Sequence, residues 1–425
     1  MNILLKYGKE KIPLKLNDGN FIGHLKPKKI NVEKSERQII IDSLKNPVKS
    51  HKLSEFIKKN DKVLIAIPDK TRISRLSIIL PIILKELKDI GITKENIKII
   101  FSNGSHSSMD ENEKKVILGE KYYNLFKIFE NNAFDEKQHV YFGKTKRGTS
   151  IFLNKILADS DKIITIGSVT HHYFAGFGGG VKMIMPGLAY YKTIEQNHKR
   201  SISKNLKLNK YCKSGELKNN PVYEDLIDVM NYCPPIFSLN FLLDEKGKII
   251  FASSGNVIES HKKTASKVNK KYRVGINEKA DLVICSTGGY PKDINLIQTH
   301  KSIHNAYQAV KHNGVIICLA ECIDGIGSKT FLDWFNYDNI ILKKKILTDY
   351  SLNAQTAISF MEKCKNVKII LVTKLNPSIA NKVGFTSSKN FDEAYKIALS
   401  YLKKDFSYYV IDNSSLVLPY LKTNR

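Results

Sequence analysis

Residues 161–187 begin Asp161-Lys162-Ile163-Ile164-Thr165-Ile166-Gly167 and run on through Ser168-Val169-Thr170-His171-His172-Tyr173-Phe174-Ala175-Gly176-Phe177-Gly178-Gly179-Gly180-Val181-Lys182 to Gly187. The first part is a short apolar run that reads as a buried strand. The second is too rich in glycine to hold a regular element, so a loop is expected over Ser168 to Gly187. A buried strand that stops in such a loop is one half of a βα unit, and the pattern repeats on either side. Upstream, Lys62 to Ile67 and Ile97 to Phe101 are strand candidates flanking a helical stretch from Ser74 to Leu87. Downstream, a helix is expected at Val222 to Met230, strands at Ile236 to Leu243 and Lys248 to Ala252, and a lysine-rich helix at Ile258 to Lys271. Beyond it, strand candidates at Asp281 to Cys285, Val315 to Ala320, Asn366 to Val372 and Tyr408 to Ile411 alternate with helical stretches at Lys292 to Lys311 and Asp392 to Leu402. The fold class expected is α/β, with two α/β domains and mainly parallel sheets. The domains are residues 1–272 and 273–425, and the active site lies in the cleft between them.

The chain has 425 residues, 42% hydrophobic and 26% charged, enough for two cores. Leu76 to Leu84 is its best apolar run, but Pro81 interrupts it and Lys85 and Glu86 follow, so it reads as a buried helix and no membrane span is expected. Met1 to Lys11 lacks the features of a secretory signal, which places the expected protein in the cytoplasm. Six cysteines without a CxxC pair argue against a zinc ribbon or iron–sulfur cluster. The formal charge of +27 invites nucleic acid as a partner, but the lysines are spread along the chain, and none is expected.

Ligands of open α/β sheets sit at the carboxyl ends of the strands. Three successive strand ends deliver polar groups there: Asp69, Thr71 and Arg72; then His106; then His172. The glycines ahead of Lys182 let backbone N–H groups approach a phosphate, and a lysine ending the loop can meet an anion or attack an electrophile. It is not a Walker A loop, because Val181 separates Gly180 from Lys182 and Met183 stands where Ser or Thr would hold magnesium. A flexible glycine turn with a solvated lysine reads equally well. His198, in Glu195-Gln196-Asn197-His198, is a surface histidine or a metal ligand. His106 is a general base or a hydrogen-bonded structural histidine. Asp69 and Arg72 also read as a surface ion pair. Gln298 and Lys301, one turn apart on a helix, hold a carboxylate together or form an exposed face.

Taken together, Asp69-Lys70-Thr71-Arg72, Gly104-Ser105-His106, His172 to Pro186, Asn197-His198, and Ser286-Thr287-Gly288-Gly289-Tyr290-Pro291-Lys292-Asp293 with Gln298 and Lys301 resemble the nickel-dependent lactate racemase family. The motifs follow the family's order and spacing across roughly residues 60 to 305. The resemblance implies a cofactor-binding and catalytic N-terminal domain and a C-terminal domain contributing substrate-binding residues. It implies a pyridinium-3,5-bisthiocarboxylic acid mononucleotide-type pincer covalently attached at Lys182, with nickel held by the pincer and by His198. Soft sulfur with imidazole suits nickel(II). Asp69, Thr71 and the backbone of Gly178, Gly179 and Gly180 would bind the cofactor, which separate maturation enzymes would make. By the same resemblance, His106 or His172 takes the hydroxyl proton of a 2-hydroxy acid and C2 gives hydride to the cofactor. The planar 2-keto acid then receives hydride back on its other face, and inversion calls for one base per enantiomer. Arg72 and Lys301 would bind the carboxylate, and Gln298 would orient the substrate.

The chain departs from the family pattern where Gly178 replaces a usual serine, where Ile297 precedes Gln298 in place of tyrosine, and where Trp334, the only tryptophan, falls too early to match a family aromatic. Malate or a sugar acid therefore stands beside lactate as an expected substrate. The rival expectations are a zinc-dependent hydrolase built on the same histidines and a non-catalytic nucleotide-phosphate binding protein.

Overall fold

The computed structural model describes residues 3–422 apart from 17 and 329, so Met1 and Asn2 of the stretch read for a signal lie outside the described residues. Two six-stranded sheets organise the chain. The first runs in the order Ile249–Asn256, Ile236–Leu243, Lys162–Ser168, Val63–Ile67, Ile97–Phe101, Lys127–Glu130. All its pairings are parallel except the hairpin Ile236–Leu243/Ile249–Asn256. Val63–Ile67 is buried at every position, as a central strand covered on both faces must be. On one face pack the helices Glu36–Lys45 and Leu76–Ile90, the latter carrying Pro81 inside it.

The second sheet is parallel throughout, in the order Thr386–Ser388, Lys368–Val372, Val310–Leu319, Ala280–Ser286, Ser407–Ile411, Asn20–Leu25. Residues 20–25, expected in the first domain, pair at the edge of this second sheet. Their place is fixed by backbone pairing with Ser407–Ile411 and by a hydrogen bond between His24 Nε2 and Asp412 Oδ1. The hairpin Ile3–Tyr7/Glu10–Leu14 follows them, packing Ile3, Leu5 and Leu14 against Leu282, Ile284 and Ile317.

Part of the motif at 286–293 serves this docking. Gly8 N–H donates to Asp293 Oδ2 at 2.7 Å, Tyr290 N–H donates to the Gly8 carbonyl at 2.8 Å, and Ser286 Oγ donates to the Lys6 carbonyl at 2.5 Å. The helix expected over Lys292 to Lys311 is shorter, Leu296–Ala306. Asn295 caps it by accepting from the Gln298 N–H at 3.0 Å, and the strand that follows already begins at Val310. Trp334 is a core residue of the second lobe, packed near Tyr337 and Tyr350. Among the described residues, no helix is long and apolar enough to cross a membrane, and all six cysteines are free.

Candidate active site

The loop after Lys162–Ser168 is more regular than its glycines suggest. His171–His172 pairs antiparallel with Gly176–Phe177, and a 3-10 turn follows at Gly180–Met183. Gly179 and Gly180 have φ of +73° and +54°, a conformation that disfavours side chains. A Cβ at Gly180 would lie 2.4 Å from the His261 ring, and one at Gly179 would lie 2.6 Å from the Ser168 carbonyl. His261, buried beneath the turn, donates from Nε2 to the Gly178 carbonyl at 3.1 Å. At Gly178 a Cβ would meet only Thr170, at 3.6 Å, so the packing tolerates the serine usual in the family.

The turn directs Lys182 inward. Its Nζ lies 3.4 Å from His172 Nε2 and 5.3 Å from the centre of the Phe174 ring. Burial, with Arg72 adding to it, pushes the Lys182 ammonium down to about 7. A neutral amine is therefore accessible near neutral pH, which is what a nucleophilic lysine needs. Phe174 is the hub of the site: its ring meets those of His172 and His198 edge-on, at centroid separations of 4.6 and 4.9 Å. His198, on the helix Tyr191–Lys199, is buried, and both its ring nitrogens lack a hydrogen-bond partner among the described residues. Such an orphaned imidazole is costly unless something binds it. Burial and the nearby Lys182 hold it far below the usual histidine range, so it stays neutral and fit for a metal.

The two candidate bases are held in opposite ways. His106 Nδ1 donates to Asp69 Oδ2 at 2.5 Å, which leaves Nε2 to accept a proton. Asp69 is itself buried, and its Oδ1 accepts from the Thr71 hydroxyl at 2.7 Å and the Thr71 N–H at 3.2 Å. Burial opposes its charge, but His106, Arg72 and Thr71 outweigh that and hold the carboxyl down at about 2. His172 Nδ1 instead accepts the Ala175 N–H at 3.3 Å, and burial together with Lys182, Lys301, Arg72 and His198 depresses its basicity. His171, the neighbour in the pair, turns away and donates from Nε2 to Asn269 at 2.8 Å.

From the second lobe, Lys301 donates to Gln298 Oε1 at 2.7 Å. Burial first, then the charges of Arg72 and Lys182, hold the Lys301 ammonium well below its usual range, with Asp69 acting the other way. Arg72, Lys182 and Lys301 are thus near enough to repel one another, and a carboxylate placed among them would relieve that repulsion. Tyr173 ties the lobes together in the interior: its hydroxyl bonds Thr356 Oγ1 at 2.7 Å and its ring lies 4.8 Å from that of His300. Thr356 and His300 escaped the sequence reading, since polar core residues carry no spacing signal. Among the described residues, no group of three or more His, Cys, Asp or Glu side chains gathers to hold a metal ion.

A family model described as the lactate racemase N-terminal domain matches residues 7–209, and one described as the lactate racemase C-terminal domain matches residues 276–418. The chain is 31% identical to the lactate racemase of Thermoanaerobacterium thermosaccharolyticum, over 98% of its own length and 99% of that relative's. It is 29% identical to the lactate racemase of Lactiplantibacillus plantarum, over 93% and 94% of the two chains. Its fold matches the structure of the lactate racemase apoprotein from T. thermosaccharolyticum with a TM-score of 0.87 at 30% identity, covering 99% of this chain and 100% of that one. A crystal structure from Thermotoga maritima, 16% identical over 92% of this chain and 99% of that one, shares the fold with a TM-score of 0.69. Two α/β lobes enclosing a basic cleft, together with these likenesses, define an isomerase of the racemase class. The chain belongs to the lactate racemase family.

Proposed function

We propose that this chain racemises a small 2-hydroxy acid, with lactate the first candidate, using a nickel pincer nucleotide tethered at Lys182. The observation that carries the reading is the gathering of a low-pKa, half-buried lysine, a buried imidazole at His198 unpartnered among the described residues, and two differently held histidines in one site. The residues fit the group. Lys182 would form the covalent link and His198, whose ring nitrogens have no partner among the described residues, would hold the metal. When bound, the cofactor supplies a hydride acceptor for C2 of the substrate.

The chain's own groups do the rest. Arg72 and Lys301 pair with the substrate carboxylate, one as a planar fork and the other as a point charge, and Gln298 orients the molecule beside Lys301. His106 accepts the hydroxyl proton at Nε2 while Asp69 holds its other nitrogen protonated, a relation that fixes both ring orientation and tautomer. His172 serves the opposite enantiomer. Asp69 and Thr71 act through His106 in this reading, rather than on the cofactor. Six free cysteines agree with a reducing, cytoplasmic setting, and separate maturation enzymes would supply the cofactor.

The test is intact mass and metal content of protein produced together with those maturation enzymes, followed by racemisation from each pure enantiomer of lactate and of malate. The expected result is an adduct at Lys182, about one nickel per chain, and loss of that nickel in His198→Ala. An unmodified, metal-free, inactive protein under those conditions would sink the reading.

A further inference from the structure

A cavity of about 620 Å³ opens between the loop around Leu208 to Lys218, residues just beyond the helix Leu296–Ala306, and the segment Leu418 to Leu421. None of the residues assigned above to substrate, cofactor or metal lines it. Cys212 in its wall packs with Tyr173 and Phe174, whose rings adjoin His172, so an aromatic layer separates the cavity from the active site. Its volume lies within the range of about 300 to 1,000 Å³ usual for small-molecule sites.

The lining is chemically uneven. Six of its side chains are basic and two are carboxylates, and one of those carboxylates, Glu216, is already drawn to Arg273 at 3.6 Å. Arg273 lies over the Tyr420 ring, 4.5 Å from its centre, and its Nε is buried without a partner among the described residues. Lys363 is only 2% exposed, and its Nζ donates to neutral acceptors, the Ser359 carbonyl at 2.9 Å and Oγ at 2.6 Å. His304, 8% exposed, has an unpartnered Nδ1. Buried donors and cations left without an anionic partner are destabilising, and a bound anion relieves that penalty. Tyr211, Tyr307 and Tyr420 add aromatic faces beside these charges, and the rings of Tyr307 and Tyr211 each have a lysine Nζ within 5.6 Å.

We propose that this cavity is a second ligand site that takes a nucleoside phosphate, the phosphate meeting Arg273, Lys213 and Lys279 and the base stacking on the tyrosines. Guanidinium and ammonium groups recognise phosphate oxygens, while aromatic faces accept any base without reading its edge. Neither part of the ligand requires the glycine loop at 178–180, so the site is separable from the cofactor's.

The experiment is calorimetric titration of the full chain, without cofactor, using ADP, with adenosine and pyrophosphate as controls. ADP is expected to bind with a Kd of about 1 mM or tighter, and each control at least about tenfold more weakly, since each lacks half of the recognition. Arg273→Gln should weaken ADP at least about tenfold, and so should Lys213→Glu combined with Lys279→Glu, whereas Lys182→Ala should bind as the parent does. The double charge reversal alters an exposed and a half-buried lysine, so it remains informative if Arg273→Gln does not fold. Absence of ADP binding, unchanged binding in the charge-reversed variant, or loss of binding in Lys182→Ala would each overturn the proposal. Pyrophosphate binding as tightly as ADP would remove the aromatic half of it.

Discussion

Asp69→Asn isolates what the dyad with His106 contributes. The substitution keeps size and shape, and the amide oxygen still accepts from Thr71 as Oδ1 does at 2.7 and 3.2 Å. The side facing His106 Nδ1 then becomes an N–H donor instead of a carboxylate. Nδ1 must switch to accepting, the ring proton moves to Nε2, and the base loses the lone pair it needs. General-base catalysis is typically worth about 10²- to 10⁴-fold, and because enantiomers interconvert with an equilibrium constant of 1, kcat/KM should fall by that order in both directions. Stability changes too. The Asp69 carboxyl is held at about 2 against an ordinary 3.8, so its ionised form contributes to the stability of the fold. A depressed acid stabilises the fold above its unfolded pKa and loses that contribution as pH falls through the folded one. The stability gap between parent and variant should therefore close between about pH 4 and pH 2. The assays are chiral chromatography of product from each enantiomer with cofactor-loaded protein, and urea unfolding as a function of pH. Full kcat/KM in both directions would refute the dyad. Loss of the Lys182 adduct in Asp69→Asn would also refute it, and would return Asp69 to cofactor binding.

Gly180→Ala should cost about 2 to 4 kcal/mol, from an unfavourable φ and a clash with His261, and lower the melting temperature clearly; Gly178→Ser should fold like the parent. Equal melting temperatures for the two variants would contradict the packing described for the turn. In cofactor-free protein, Lys182 should react with an amine-selective acylating reagent with a half-maximal rate near pH 7, because its ammonium is held at about 7. Peptide mapping that shows reaction only in the range of ordinary surface lysines would contradict that. Tyr173→Phe removes the 2.7 Å bond to Thr356 and should lower unfolding free energy by about 1 to 2 kcal/mol, read from urea titration. An unchanged midpoint would mean that this contact adds nothing to the joining of the lobes.

The central strands were legible because full burial on both faces leaves continuous apolar runs, as at Val63–Ile67, which lies within the expected Lys62 to Ile67. Strands at the periphery were not. Asn20–Leu25 is exposed or half-buried at five of its six positions, so neither alternation nor a solid apolar run marks it. The candidate site was legible in its residue types, since strand ends and glycine loops have few structural uses. Partnership was not: nothing in the spacing of Asp69 and His106 announces a hydrogen bond across 37 residues. The glycine loop was expected as irregular chain because glycine density hides the short pairing of His171–His172 with Gly176–Phe177.

The pairing of Asn20–Leu25 with Ser407–Ile411 bears on the order of events at the ribosome. Asn20 hydrogen-bonds the carbonyl of Asp405, 385 residues further along. At about 5 to 20 residues per second, the early strand waits roughly 20 to 80 s for its partner to be translated. Through that interval its backbone groups and the apolar face of the preceding hairpin have no place in a finished sheet, while the helices and strands between them can already assemble. Emergence of Ser407–Ile411, rather than of the catalytic loop, is therefore the event that lets the second sheet close on its early strand.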